Sequence, residues 1–404
     1  MRVLSVFGTR PEAIKMAPVV RALAQHEDVR SRVCVTGQHR EMLDQVMATF
    51  ALKADYDLDI MQPGQALGDV LARVVSGLGP IFSEFQPDYV LVQGDTASST
   101  AAAVAAFYCG IAVGHVEAGL RTGNLKSPWP EEANRRLTAV VTSRHYAPTA
   151  RARDALLAEG HSGDSIVLSG NTVIDALLQV ADAVTSPGAA KQRLDRTFSW
   201  LDPRKRVVLV TGHRRESFGA GFARICEALA TIARRDDVEI VYPVHLNPNV
   251  RGPVTERLAG FANIKLIEPL DYQSFVYLMT RCHLILTDSG GVQEEAPSLR
   301  KPVLVMRDTS ERLEAVEAGV ARLVGTDVAT IVAAVDEMLD RKSSYAAMAS
   351  GANPFGDGHA SERIVKDLLI CSKQKFNPSA SSASAMSDSQ RRQRLPRAAL
   401  TSSA

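Results

Sequence analysis

Gly8-Thr9-Arg10-Pro11-Glu12, with Lys15 one turn further on, brings a tight turn, two cations and a helix start together. Free N–H groups and the helix dipole make that an anion site on one reading; a plain turn with solvated charges is the other. Gly94-Asp95-Thr96 and Gly114-His115-Val116-Glu117 each put a carboxylate at the end of an apolar run. Pro128-Trp129-Pro130-Glu131-Glu132 places two more acids behind a proline-stiffened loop, where they could act as acids and bases or simply complement a helix N-terminus. In the second half, Gly212-His213-Arg214-Arg215 can meet a phosphate as imidazolium and guanidinium, or form a hydrogen-bonded turn; Tyr242-Pro243-Val244-His245 is a similar exit whose histidine could serve the loop alone. The strongest single signal is Asp288-Ser289-Gly290-Gly291, which opens a helix toward a diphosphate, with Glu295 one turn later to hold a ribose diol; Ser289 as a helix cap is the alternative.

No Gly-x-Gly-x-x-Gly or Walker loop follows the first apolar run, so neither NAD nor a P-loop nucleotide is indicated. The nine histidines and five cysteines form no metal-site spacing, which predicts neither metal nor cofactor, and the cysteines read as buried or half-buried free thiols.

Short β-branched runs alternate with longer amphipathic segments, the pattern of parallel strands with crossover helices. Strands are predicted at 3–7, 32–35, 89–93, 111–115, 145–147 and 166–168, then at 206–211, 239–242, 264–267, 284–286, 303–306 and 322–324. Two similar doubly wound α/β domains follow, and the polar clusters fall just after strands, where ligands bind such sheets. The division is placed at 1–170 and 171–358, near the less periodic stretch 182–204 with its Pro187-Gly188. Residues 372–404 hold nine serines, six basic residues and one acid, and are expected to be disordered.

The 46 basic and 45 acidic residues make a neutral chain, and without its tail a slightly acidic one of 40 basic and 44 acidic residues. With 5% aromatics, this offers no footprint for nucleic acid. A weak anionic partner for the tail competes with a merely solvated extension. The longest small-apolar stretch, 101–114, is too short for a membrane helix, and the start lacks the form of a signal peptide, so a cytoplasmic protein is expected.

Taken in order, Val6-Phe7-Gly8-Thr9-Arg10-Pro11-Glu12-Ala13-Ile14-Lys15, Gly94-Asp95-Thr96, Gly114-His115-Val116-Glu117-Ala118-Gly119-Leu120-Arg121, Gly212-His213-Arg214-Arg215-Glu216 and Asp288-Ser289-Gly290-Gly291 resemble the non-hydrolysing bacterial UDP-N-acetylglucosamine 2-epimerases, from Met1 to about residue 370. The resemblance implies a glycosyltransferase-B-like fold, two Rossmann-like domains across a cleft, with a C-terminal helix at about 359–371 packing back on the first. It implies a homodimer that interconverts UDP-N-acetylglucosamine and UDP-N-acetylmannosamine without metal or NAD. By position, the catalytic candidates are Asp95, Glu117, Glu131 and His213; Arg10, Lys15, Leu270, Phe275, Ser289, Gly290, Gly291, Glu295 and Arg312 join Asp95, Glu117 and His213 as substrate contacts. Activation by substrate near Gln38-His39-Arg40-Glu41 is a further implied property. Three positions depart from the family pattern: Leu270 for Gln, Arg300 for Gly and Leu313 for Pro.

The C2 hydrogen of the sugar is not adjacent to a carbonyl, so elimination of UDP through 2-acetamidoglucal and readdition is the expected route. Carboxylates would then move the proton, and His213, Arg10 and Lys15 would stabilise the departing phosphate. A glycosyltransferase of the same fold, a hydrolysing epimerase and a silent sugar-nucleotide sensor are the competing readings.

Overall fold

The computed structural model describes residues 1–37, 40–62 and 64–376. Gln38, His39 and the Glu41 side chain, within the segment expected near an activator, and the tail from residue 377 lie outside the described residues.

Two parallel sheets organise the chain. The first has seven strands: β1 (Arg2–Phe7), β2 (Arg30–Val35), β3 (Tyr56–Asp57), β4 (Tyr89–Gln93), β5 (Ala112–Val116), β6 (Arg144–Ala147) and β7 (Ile166–Leu168), in the order β3-β2-β1-β4-β5-β6-β7. The second has six: β8 (Arg206–Thr211), β9 (Val238–Pro243), β10 (Ile264–Ile267), β11 (Leu284–Thr287), β12 (Val303–Val305) and β13 (Ala321–Leu323), in the order β10-β9-β8-β11-β12-β13. Each predicted run forms a strand; β3 was not anticipated, because two residues carry no readable period. Runs such as Tyr89-Val90-Leu91-Val92-Gln93 are buried throughout, as parallel strands covered on both faces must be.

Both sheets reverse their strand order at one point, between β1 and β4 and between β8 and β11. A ligand site belongs at such a point, beyond the carboxyl ends of the strands. The apolar core is continuous between the halves: Val3 and Phe7 belong to the same buried cluster as Val207 and Ile285. Helix Thr172–Thr185 joins them, packing on helix Arg10–Ala24 of the first half and on helix Tyr272–Arg281 of the second.

The chain returns to the first half at Phe355, whose carbonyl accepts from the Asn171 N–H at 2.7 Å. The last helix, Ala360–Phe376, then packs against Arg10–Ala24 and Thr172–Thr185, burying Ile364, Val365 and Leu368. Its first turn is capped by Asp175, which accepts from Ser361 N at 2.8 Å, and Arg144 Nε donates to Asp367 at 2.9 Å. The helix continues to Phe376, past residue 372 where the tail was expected to start. Of the free cysteines, Cys34, Cys226 and Cys282 are buried as expected, whereas Cys109 is exposed because it lies just past a helix end.

Candidate active site

The turn after β1 is closed by its own residues. Thr9 and Glu12 form a capping box, and the buried Glu12 carboxylate accepts from Gly8 N at 3.0 Å, Thr9 N at 2.8 Å and Thr96 Oγ1 at 2.7 Å. The chain's own groups therefore occupy the N–H groups of Gly8, Thr9 and Glu12, and Arg10 and Lys15 remain as the cations of this turn. Gly8 is required here, since a Cβ would fall 1.9 Å from Thr36 Oγ1.

Lys15 turns to Glu117. Its ammonium donates to both carboxylate oxygens, at 2.7 and 2.6 Å, and Gln93 and Asn171 add further hydrogen bonds to the same group. Burial alone would raise the Glu117 carboxyl and lower the Lys15 ammonium; their mutual attraction reverses both, with Arg312 assisting Glu117, so the pair is ionised. Glu117 follows β5 directly and holds a left-handed backbone, φ +63°, a conformation a non-glycine residue adopts at a cost and often at a working site.

Asp95 follows β4 and forms an ion pair with Arg135, at 2.6 Å from Nη2. Arg135 lies on helix Glu131–Val141, as do the two neighbouring acids, and these acids divide the roles that sequence left open. Glu132 is fully buried and structural, accepting from Thr122 N and Gly123 N and pairing with Arg135 and Arg136. Glu131 keeps a buried Oε2 with no hydrogen-bond partner among the described residues.

In the second half, the buried Asp288 at the end of β11 accepts from the backbone N–H groups of His213 and Arg214, at 2.7 and 2.8 Å. Its Oδ1 lies 3.3 Å from His213 Nδ1, which orients the imidazole, and these contacts hold its carboxyl low despite burial. His245 stacks on His213 at 5.6 Å, a contact sequence reading did not assign. Ser289 stands at the N-cap of helix Gly290–Glu295, yet its side chain makes no capping bond. A Cβ at Gly290 would lie 3.8 Å from the guanidinium groups of both Arg214 and Arg312.

Glu295 is buried and accepts from the Tyr272 hydroxyl at 2.6 Å; burial outweighs that bond and the charge of Arg10, pushing its carboxyl up to about 7. Leu270 and Phe275 are half-buried and pack against the core that underlies this region. Leu270 has no polar side-chain atom, so the structure gives it packing only. Among the described residues, no His, Cys, Asp and Glu side chains group as a metal ion would need.

The two halves meet at a cavity of about 320 Å³ lined by Glu117, Arg135, Asn171, Glu294, Arg312 and Phe355. Arg312 donates to Glu294, and Asn171 donates both to Glu294, at 3.1 Å, and to Glu117, at 3.3 Å. A larger open groove of about 1240 Å³ contains none of the expected site residues. Sequence reading gave no role to Gln93, Arg135, Asn171, Tyr272 or Glu294. Arg135 and Glu294 lie close in sequence to acids already singled out, Glu132 and Glu295, whereas Asn171 sits where the chain crosses between the halves and Tyr272 meets Glu295 across 23 residues.

Comparison with known proteins shows the family and the fold. Residues 21–369 match the UDP-N-acetylglucosamine 2-epimerase family. The UDP-N-acetylglucosamine 2-epimerase of Yersinia pestis is 58% identical over 369 residues, covering 91% of this chain and 98% of that protein. The crystal structure of UDP-GlcNAc 2-epimerase from Neisseria meningitidis bound to UDP-GlcNAc superposes with a TM-score of 0.84 at 49% identity, over 92% of this chain and 100% of that one. The glycotransferase of kitacinnamycin, at a TM-score of 0.60 and 14% identity over 91% of this chain and 99% of that one, is alike in fold alone. With two Rossmann-like sheets in a glycosyltransferase-B-like arrangement and a match over nearly its whole described length, the chain belongs to the UDP-N-acetylglucosamine 2-epimerase family.

Proposed function

We propose that the protein interconverts UDP-N-acetylglucosamine and UDP-N-acetylmannosamine, without metal or NAD, by eliminating UDP and adding it back. The observation that carries this reading is the convergence of two ion pairs from opposite sheets, Lys15 with Glu117 and Arg312 with Glu294, on one cavity. In the forward step a carboxylate takes the C2 proton, the C2–H electrons become the C1–C2 double bond, and the C1–O electrons leave with UDP. The reverse step protonates C2 on the opposite face and reforms C1–O. Asp95, Glu117 and Glu131 are the acid–base group; His213, oriented by Asp288, stabilises the leaving diphosphate with Arg10, Arg312 and the Ser289-Gly290-Gly291 turn. Lys15 assists by keeping Glu117 ionised. Glu295 receives the ribose diol, and Leu270 and Phe275 border the uracil.

Proton NMR in deuterated water tests the reading. UDP-N-acetylmannosamine carrying deuterium at C2 supports elimination with solvent exchange. Free N-acetylmannosamine would instead indicate a hydrolysing epimerase, and no change without an acceptor a glycosyltransferase.

We further propose a cytoplasmic homodimer of two-domain subunits, residues 1–170 with the last helix forming one body and 171–358 the other. No helix among the described residues is long and apolar enough to cross a membrane. The dimer face is the row of helices Leu67–Phe85, Ala97–Tyr108 and Glu131–Val141, which pack side by side and expose Phe107, Tyr108, Leu137 and Val140, with Tyr108 83% and Val140 78% accessible. Unpartnered apolar area of this kind marks an interface.

A further inference from the structure

Asn171 occupies the point where the chain passes from the first sheet to the second half, and it is 2% exposed. Its Oδ1 accepts from Val173 N at 3.1 Å, capping helix Thr172–Thr185, and its backbone N–H is held by Phe355 O. The bond from Val173 N fixes which end of the amide is which: the NH2 group faces away from the helix and donates to two carboxylates, Glu117 Oε1 at 3.3 Å and Glu294 Oε2 at 3.1 Å. Glu294 in turn holds Arg312. A neutral amide thus sits among four charges, linking a carboxylate after β5 to one on the opposite half.

We propose that Asn171 is a positioning residue of the acid–base site: it fixes the orientation of the Glu117 carboxylate and couples it to Glu294 across the cleft. This rests on the reading of Glu117 as a proton-transfer group. Lys15 and Gln93 also hold Glu117, both from the first half, so Asn171 carries the hydrogen-bonded link to the second. An amide suits the position because both carboxylates can remain ionised around it. An aspartate there would add a third carboxylate to a site already facing Lys15, His115, Arg135, Glu294 and Arg312, and a proton would have to be shared.

The cap and the positioning role are separable. Asn171→Ser retains a capping oxygen but is too short to reach either carboxylate, while Asn171→Asp keeps both shape and cap. For N171S, kcat is expected to fall about 10- to 100-fold, the scale of a misplaced catalytic group, with KM and UDP affinity within about threefold. For N171D, the acid limb of the kcat–pH profile moves up by about one unit or more; should N171S fail to fold, N171D still decides the matter. Wild-type kcat with an unshifted limb in the folded variants overturns the proposal. Glu117→Gln, assayed alongside, separates the two levels. Loss of at least about 100-fold in E117Q together with normal N171S and N171D removes only Asn171; near-normal E117Q removes the acid–base reading and the proposal with it.

Discussion

Glu295 shows how one buried side chain can link substrate binding to pH. Its folded pKa of about 7 lies above the ordinary 4.5, so the native state retains a proton that the unfolded chain gives up, and stability falls as pH rises between those values. A ribose diol donates to a carboxylate and so favours the ionised form. UDP affinity should therefore rise by about tenfold between roughly pH 6 and pH 8, beyond the titration of UDP itself, and Glu295→Gln should remove that increment in calorimetric titrations. An identical pH dependence in wild type and variant would take Glu295 out of the nucleotide site. The sequence located this acid because a glycine turn and one helical turn of spacing are local facts. Its protonation state was not legible, since it depends on burial and on Tyr272, 23 residues away in the chain.

At the scale of elements, Arg300 is the informative departure. It ends the short helix Ala296–Leu299 with φ +57° and ψ +39°, the left-handed conformation for which glycine, the residue the family pattern carries there, is suited. Arg300→Gly should stabilise the fold by about 1 kcal/mol and leave turnover unchanged, read by thermal unfolding and a standard assay. A fall in melting temperature would show that the arginine makes a compensating contact. Strand and helix positions were readable because buried parallel strands are continuous apolar runs. The self-capping of helix Arg10–Ala24 was harder to see: Thr9 and Glu12 spell a capping box, but two nearby cations made an external anion equally reasonable.

For the whole molecule, two sheets share one core yet place their strand ends on either side of a cavity, with the chain crossing twice beside Asn171 and Phe355. Holding UDP and a glucal together requires excluding water, so saturating UDP should contract the particle, seen as a smaller radius of gyration by X-ray scattering. An unchanged profile would argue against closure. The exposed helical face leads to a second expectation. Light scattering should give twice the subunit mass for the wild type, and Val140→Glu should give the single mass; a wild-type monomer would end the dimer proposal.

The sequence by itself determined the fold class and the strand ends at which polar residues gather, because a parallel α/β sheet places its polar residues immediately after its strands, while Asp95, Glu117, Glu131 and His213 became candidates through the resemblance of their motifs to the family. Only tertiary structure decided what each of these groups faces. Lys15 meets Glu117 across 102 residues, and Arg135 meets Asp95 across 40. Glu132 is consumed by the fold while its neighbour Glu131 keeps a carboxylate oxygen without a hydrogen-bond partner among the described residues. Charge state and hydrogen bonding depend on desolvation and on partners distant in the chain, quantities that no local spacing encodes.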